Sequence, residues 1–241
     1  MTNSMIVNTR PLSLSKNINL LAQDQMLDLK NIYLSRIEPN NNLLENQRWV
    51  CYTNQIASYK NIIFTSQSAV EFGSKILNLE NLSQVFKGEV YSIGPATSLK
   101  LQKKGINPIV AESYNSEGLL EVIKDINDKS LLFCAKNSRG LLKDTLTKLD
   151  VIDCYDLVFN KSELSKLNKS DEIILIYNFK TLEFLASSLS EEVLNSKVFI
   201  VASKRILEQL RKSKDNIESL KIYIADEPSD LKMLNKASSF I

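Results

Sequence analysis

The sequence predicts an α/β protein with two flavodoxin-like domains built on parallel sheets, one of them discontinuous, joined by an extended linker of two segments. Three observations support this fold class. Short, continuously apolar strands alternate with helices of about ten residues, which is typical of parallel sheets buried on both faces. The 241 residues are long for one compact domain and sufficient for two. The strands are also spread unevenly along the chain, and their distribution indicates how the domains connect.

The first part of the chain contains two predicted strands, at residues 5–8 and 31–37, with a helix-like stretch at about 20–27 between them. Residues 40–60 are polar and irregular, and we interpret part of this stretch as a linker with some helix.

The middle of the chain repeats a strand followed by a helix. The strands are predicted at residues 62–64, 89–93, 109–110 and 131–135. The helices after them begin near Thr65, Gly94, Ser116 and Asn137, and the last is predicted to continue to Leu149. Residues 151–159 are predicted to be extended.

After a polar stretch at residues 161–170, strands are predicted at 173–177, 198–201 and 222–225, each followed by a helix. Two strands at the start and three at the end are each too few for a stable sheet, so we predict that they join. Domain 1 would comprise residues 1–37 and 161–241, domain 2 would be inserted as residues 42–155, and residues 38–41 and 156–160 would link them. Two sequential domains are the alternative.

The composition argues against several classes of protein. The chain carries 30 Lys and Arg against 28 Asp and Glu, a net charge of +2 with scattered basic residues, which disfavours nucleic-acid binding. No stretch approaches the roughly 20 apolar residues of a membrane helix, and the first ten residues do not resemble a signal peptide. We therefore expect a cytoplasmic protein with no membrane association.

The residue inventory also limits the chemistry. The chain has no histidine, and its three cysteines lack CxxC spacing, so we expect no metal site. Without histidine, Ser-His and Cys-His nucleophilic machinery is excluded, and acid–base work must fall to Tyr, Asp, Glu, Lys or water. No GxGxxG motif follows a strand, and six glycines do not form a phosphate-binding loop.

The strand-to-helix junctions are the candidate binding positions. Right-handed crossovers place these junctions on one edge of each sheet, where helix N-termini offer unpaired N–H groups and partial positive charge to anions. The candidates are Thr9, Arg10, Thr65, Ser66, Gly94, Thr97, Ser116, Ser138, Arg139, Asn178 and Ser203. For any one of the polar residues, plain helix capping is the competing interpretation. For the two arginines, the competing interpretation is a solvated side chain or an ion pair. Tyr155, in the extended segment at residues 151–159, is a further candidate, and its competing interpretation is a packed core tyrosine.

An ordered series of short motifs resembles the uroporphyrinogen-III synthase family over nearly the whole chain. The matching strings are Asn8-Thr9-Arg10-Pro11, Phe64-Thr65-Ser66 with Ala69-Val70, Ile93-Gly94 with Thr97, Ser116-Glu117 with Leu119-Leu120, Ser138-Arg139 with Leu141-Leu142, Cys154-Tyr155, Val201-Ala202-Ser203 and Ala225 to Ser229. Two strings depart from the family pattern. Tyr177-Asn178 stands where Thr-Ser is usual, and Cys134-Ala135-Lys136 replaces Leu-Arg-Gly. The first helix also lacks its usual glycine.

The resemblance implies a discontinuous two-domain fold and a reaction of haem biosynthesis. Hydroxymethylbilane, a linear tetrapyrrole with many carboxylates, would be dehydrated and closed to uroporphyrinogen III with inversion of the terminal ring, without metal or cofactor. Its partners would be this substrate and, by hand-over, the upstream bilane-forming enzyme, and we expect a monomer. The junction residues would bind substrate, and Tyr155 is the candidate acid, although a purely positional role is an alternative. A non-catalytic two-domain binding or sensor protein for a small polyanion is the rival function.

Overall fold

The computed structural model describes residues 5–136, 138, 140–167, 172–213 and 219–241. Strands and helices alternate along these residues. The strands are β1 (Ile6–Asn8), β2 (Leu29–Asn31), β3 (Ser35–Pro39), β4 (Asn61–Phe64), β5 (Glu89–Ser92), β6 (Ile109–Val110), β7 (Ser130–Ala135), β8 (Leu149–Phe159), β9 (Ile173–Ile176), β10 (Val198–Val201) and β11 (Lys221–Ile224). The helices are α1 (Lys16–Asp24), α2 (Gln47–Asn54), α3 (Gln67–Gly73), α4 (Leu82–Val85), α5 (Pro95–Gln102), α6 (Ser116–Val122), α7 (Leu141–Thr145), α8 (Phe179–Ser188), α9 (Glu191–Asn195), α10 (Lys204–Ser213) and α11 (Asp230–Ser238).

The chain divides into two compact units. Unit 1 is Met1–Arg36 with Val158–Ile241, and unit 2 is Ile37–Leu157. The chain leaves unit 1 within β3 and returns to it within β8. The predicted fold class, α/β with parallel sheets, is confirmed.

The sheet of unit 1 has the order β2-β1-β9-β10-β11. Numbered along the described strands of this unit, the order is 2-1-3-4-5, the flavodoxin arrangement. All of its pairs run parallel, and Val7 lies opposite both Lys30 and Ile174. Val7, Ile174 and Phe199 are fully buried, as expected for a sheet covered by helices on both faces.

The sheet of unit 2 has the order β3-β8-β7-β4-β5-β6. Strands β4 to β8 form a parallel sheet, and β3 lies beside β8. Each face carries its own apolar core, with Ile62 and Phe64 on one side and Ile63 and Leu132 on the other. This alternation follows from the two-residue period of side chains along a strand.

A β-bulge interrupts the pairing of β7 with β8. Cys134 lies opposite Asp153, but the next residue, Ala135, lies opposite Tyr155, so that Cys154 is the extra residue. In a regular strand Cys154 and Tyr155 would point to opposite faces, whereas here both pack on the core that contains Phe64. The bulge therefore sets the face on which the Tyr155 ring lies.

A buried ion pair lies where β9 and β10 begin. Lys197 Nζ is 2.9 Å from Glu172 Oε2, and both side chains are 1% exposed. Lys30 Nζ approaches the other carboxylate oxygen at 3.4 Å. The backbone carbonyl of Glu172 also accepts a hydrogen bond from the N–H of Val198, the first residue of β10. Unit 1 thus contains a charged cluster next to its apolar core.

One predicted helix was wrong in extent. The helix expected to run from Asn137 to Leu149 is confined to α7, and Asn137 lies outside the described residues. Leu149 instead begins β8 and pairs with Ser130 of β7, because sheet pairing outweighs the weak helical pattern of this stretch. Among the described helices, none combines the length and apolar character needed to cross a bilayer.

Candidate functional site

The candidate residues of unit 2 follow the carboxyl ends of its parallel strands or lie in β8. Thr65 and Ser66 follow β4, Gly94 and Thr97 follow β5, Ser116 follows β6, Ser138 follows β7, and Tyr155 belongs to β8. In a parallel sheet these positions share one edge, which is where such folds bind ligands. The topology therefore brings all of them to the same side of unit 2.

Ser66 and Tyr155 are in direct contact at this edge. The Ser66 Oγ lies 2.8 Å from the Tyr155 hydroxyl. Ser66 is also the N-cap of α3, because the same Oγ accepts a hydrogen bond from the Ala69 N–H at 3.1 Å. Burial raises the pKa of Tyr155 above its ordinary value, and the hydrogen bond between Tyr155 and Ser66 opposes that rise. The phenol is therefore protonated at neutral pH.

Thr65, the residue before Ser66, is hydrogen-bonded to the neighbouring strand β7. Both the backbone N–H and the Oγ1 of Thr65 donate to the carbonyl oxygen of Phe133 at 3.2 Å. These two bonds fasten the β4 junction to β7, and they hold the N-terminus of α3 against the strand next to β8. Thr65 thus contributes to the placement of Ser66.

The β5 junction forms a tight helix start. Gly94 is the N-cap of α5, Pro95 follows at the first helical position, and the Gly94 carbonyl accepts from the Thr97 and Ser98 N–H groups at 3.1 and 3.0 Å. The Thr97 side chain is buried. The Oγ of Ser92, at the end of β5, is buried with no hydrogen-bond partner among the described residues.

At the β6 junction the capping residue is Asn115, whose side-chain oxygen accepts from the Gly118 N–H at 2.8 Å. Ser116, the predicted binding residue, is the first residue of α6 and is largely buried. A Cβ at Gly118 would lie 2.0 Å from the Ser113 Oγ, so any other residue there would displace the Ser113 hydroxyl.

The β7 junction is described only in part. The Ser138 N–H donates to the Ala135 carbonyl at 3.0 Å, and the Ser138 side chain lowers the pKa of the nearby Cys134 thiol against the larger effect of burial. Arg139, a predicted carboxylate ligand, lies outside the described residues.

In unit 1 the Thr9-Arg10 junction is engaged in internal contacts. Thr9 is 2% exposed, and its hydroxyl donates to the Leu175 carbonyl at 2.6 Å. Arg10 Nη1 lies 2.6 Å from Asp230 Oδ1, and the guanidinium stacks 4.4 Å from the centre of the Tyr177 ring. Arg10 is thus paired within unit 1.

The Tyr177-Asn178 departure preserves a helix cap. The side-chain oxygen of Asn178 accepts from the Thr181 N–H at 2.9 Å and from its hydroxyl at 3.1 Å. Burial, followed by the charge of Asp230, raises the pKa of Tyr177, with Arg10 opposing the rise. Ser203, the last predicted residue of this unit, precedes α10, and its carbonyl accepts from the Ile206 N–H at 3.1 Å.

Sequence reasoning missed three side chains of the cluster around Arg10. Asp230 and Tyr177 surround Arg10, and Asn17 Nδ2 adds a 2.8 Å bond to the second Asp230 oxygen. The sequence offered one signal for Asp230, which is an acidic residue in the first turn of the helix predicted to begin at Ser229. Such a residue suits the helix dipole, but this pattern does not identify its partner. Within the described ranges, no group of three or more Cys, Asp and Glu side chains is arranged to hold a metal ion.

Comparison with known proteins points to one family. The family described as "Uroporphyrinogen-III synthase HemD" matches residues 34–229. A mutant uroporphyrinogen III synthase from the extreme thermophile Thermus thermophilus superposes with a TM-score of 0.67 at 13% identity, covering 98% of each chain. Uroporphyrinogen-III synthetase from Helicobacter pylori gives a TM-score of 0.63 at 17% identity, covering 99% of this chain and 100% of that one. Curated protein sequences gave no significant match.

Proposed function

The chain belongs to the uroporphyrinogen-III synthase family, and we propose that it holds hydroxymethylbilane by its strand-to-helix turns and uses Tyr155 as the acid of the reaction. The family's enzymes are cyclising lyases of haem biosynthesis. They remove the hydroxyl group of the linear tetrapyrrole and close the macrocycle with the terminal ring inverted. The proposal concerns which residues of this chain carry out that reaction.

The contact between Ser66 and Tyr155 is the observation that carries the proposal. It places a protonated phenol beside a helix N-terminus at the carboxyl edge of the unit 2 sheet. Because the chain has no histidine, a phenol is one of the few weak acids available to it. The raised pKa of Tyr155 keeps the proton in place until a leaving group takes it.

The chemistry requires one proton transfer to a leaving group. The bond between the hydroxymethyl carbon and its oxygen breaks with both electrons going to oxygen, which takes the Tyr155 proton and departs as water. A pyrrole nitrogen stabilises the resulting cation. For inversion, the cation first bonds to the terminal-ring carbon that already carries a methylene bridge, and the bond from that carbon to its bridge then breaks to leave a second pyrrole-stabilised cation. This second cation bonds to the unsubstituted carbon of the same ring, which loses a proton that the phenolate can recover. The enzyme is then unchanged.

The remaining candidate residues would hold the substrate's carboxylates. Helix N-termini present N–H groups and partial positive charge, so they can bind anions without many lysines. Ser66, Gly94, Ser116 and Asn178 stand at such turns, where backbone N–H groups, and not the Ser66 hydroxyl, would meet the carboxylates. Asn178 supports one of these turns despite its departure from the family pattern. Arg10 would serve as a clamp only by sharing its guanidinium between a substrate carboxylate and Asp230.

Positioning can account for the product. Unassisted closure of hydroxymethylbilane leads to the non-inverted type I isomer, so the enzyme has to favour the inverted geometry. A hundredfold preference corresponds to about 2.7 kcal/mol. Holding a flexible substrate in a reactive geometry supplies more than that.

Product analysis tests the activity. Purified protein supplied with hydroxymethylbilane should yield predominantly the type III isomer after oxidation to the porphyrin and chromatography. A mixture that matches the enzyme-free control in its type I content would overturn the proposal. Tight stoichiometric binding without turnover would instead support the rival function, a non-catalytic binder of a small polyanion.

The setting of the enzyme is part of the proposal. We infer a cytoplasmic monomer that receives hydroxymethylbilane from the upstream bilane-forming enzyme. Light scattering at micromolar concentration tests the monomer, and an isotope-dilution experiment with both enzymes tests the hand-over.

A further inference from the structure

We propose that Ser66 is a positioning residue for Tyr155, donating its hydroxyl proton to the phenol oxygen so that the phenol proton is directed to the substrate. This inference rests on the proposed function, since it presumes that Tyr155 acts on hydroxymethylbilane. It assigns Ser66 a role that helix capping and substrate binding do not include. Three features of unit 2 support it.

The first feature is the hydrogen-bonding capacity of Ser66. A serine hydroxyl has one proton to donate and two lone pairs to accept with. The Ala69 N–H occupies one lone pair, since it lies 3.1 Å from the Oγ. The hydroxyl proton is therefore available to Tyr155, whose oxygen lies 2.8 Å away. When Ser66 donates this proton, the Tyr155 proton remains available to a third group.

The second feature is the backbone that aims Tyr155 at Ser66. The bulge at Cys154 turns the Tyr155 ring toward the face of the sheet covered by α3. The Tyr155 carbonyl accepts from the Lys136 N–H at 2.7 Å, which fastens β8 to the end of β7 just beyond the bulge. Bulges commonly redirect a side chain next to an active site.

The third feature is that α3 contacts Tyr155 at two points. Ser66 at the start of α3 meets the hydroxyl, and Phe72 near its end packs against the ring with centroids 6.1 Å apart. Two contacts from one helix restrict both the tilt of the ring and the direction of its hydroxyl. A catalytic acid held in this way needs less reorganisation when it transfers its proton.

The donated bond also favours the reaction's charged state. After proton transfer the Tyr155 oxygen carries a negative charge, and a hydrogen bond to an ionised acceptor is stronger than one to a neutral acceptor. Ser66 accordingly lowers the pKa of Tyr155 against the opposing effect of burial. The hydrogen bond from Ser66 to Tyr155 therefore strengthens as the C–O bond of the substrate breaks.

The test compares Ser66→Gly, Ser66→Thr, Tyr155→Phe and the double variant Ser66→Gly/Tyr155→Phe in steady-state turnover of hydroxymethylbilane. Glycine is a tolerated N-cap, so Ser66→Gly removes the hydroxyl while α3 keeps its start. We expect kcat to fall about tenfold with KM changed by less than about twofold. Ser66→Thr retains the hydroxyl and should restore most of the loss. In the double variant the losses should not add.

Ser190→Gly is the matched control for capping. Ser190 caps α9 through the Val193 N–H as Ser66 caps α3, and it lies outside the proposed site. It should lower thermal stability only slightly and leave kcat unchanged. If Ser66→Gly behaves like this control, or raises KM alone as a substrate ligand would, the positioning role is wrong while the proposed function stands. If wild-type protein makes no type III product, or Tyr155→Phe turns over normally, the proposed function fails and the inference fails with it.

Discussion

Arg10 and Asp230 are separated by 220 positions in the sequence, yet their Nη1 and Oδ1 atoms lie 2.6 Å apart. The pair joins the end of β1 to the start of α11, and so connects the two chain segments that make up unit 1. The Tyr177 ring packs against the guanidinium, and Asn17 bonds the other carboxylate oxygen. This cluster holds Arg10 in place. Of the two arginines predicted to bind substrate, Arg10 is the one that lies within the described residues.

Asp230→Asn should destabilise unit 1. The change removes the negative charge from a mostly buried pair and leaves the Arg10 guanidinium poorly compensated. We expect a loss of about 1–3 kcal/mol in the free energy of unfolding, measured in urea at pH 7. Glu80→Gln is the control, because it breaks the solvent-exposed pair with Lys104 and should have little effect. Equal effects of the two substitutions would mean that burial adds nothing to the Arg10 pair.

Tyr155→Phe should slow turnover by more than about tenfold, since it removes the proton of the proposed acid while keeping the ring. The ring's packing on Phe72 should preserve the fold, which circular dichroism and a thermal melt can verify. The measurement is the initial rate of type III product formation. A rate near that of wild type would exclude Tyr155 as the acid.

Lys197→Met should destabilise the protein by about 3–5 kcal/mol, because it leaves the carboxylate of Glu172 buried without its lysine partner. The two atoms are 2.9 Å apart and both side chains are 1% exposed. Replacing both residues, as Lys197→Met with Glu172→Leu, should be less damaging than the single change. Denaturant unfolding of wild type, Lys197→Met and the double variant measures this, and a double variant at least as unstable as Lys197→Met would contradict it.

Met26→Gly should stabilise the protein by about 0.5–1 kcal/mol. Met26 follows the end of α1 with a φ of 55°, in the left-handed region that favours glycine, and its side chain is 93% exposed. The Leu27 N–H donates to the Ala22 carbonyl at 2.9 Å, as expected for a helix that ends in this conformation. Met26→Ala, which keeps a Cβ, should give no gain in the same unfolding measurement.

Stability should fall at alkaline pH, in part through Cys134. Burial raises the pKa of this thiol from 9.0 to about 12. A pKa that is higher in the folded state means that the thiol's contribution is fully present below pH 9 and is lost as the pH rises toward 12. Melting temperatures measured from pH 8 upward should therefore fall less steeply in Cys134→Ala than in wild type. Parallel slopes would show that Cys134 does not titrate as proposed.

Several features of the fold and the site could be predicted because they depend on neighbouring residues. Apolar strands alternating with helices are enough to indicate parallel sheets, and strand counting indicated that one unit is discontinuous. The helix starts at Ser66 and Asn178 followed from the preference for polar caps, and each caps the N–H three residues on. The extent of the helix after β7 could not be predicted, since Leu149 is drawn into pairing with Ser130 across the sheet.

What the sequence by itself determined was the class of fold, the positions of the turns and the exclusion of histidine chemistry, all of which depend on composition or on spacing within a few residues. Only the tertiary structure decided that Arg10 meets Asp230, that Lys197 meets Glu172 and that Ser66 meets Tyr155. The physical reason is that these contacts depend on strand order and register. A single extra residue, Cys154, changes the face on which Tyr155 lies, and no local pattern in the sequence marks it.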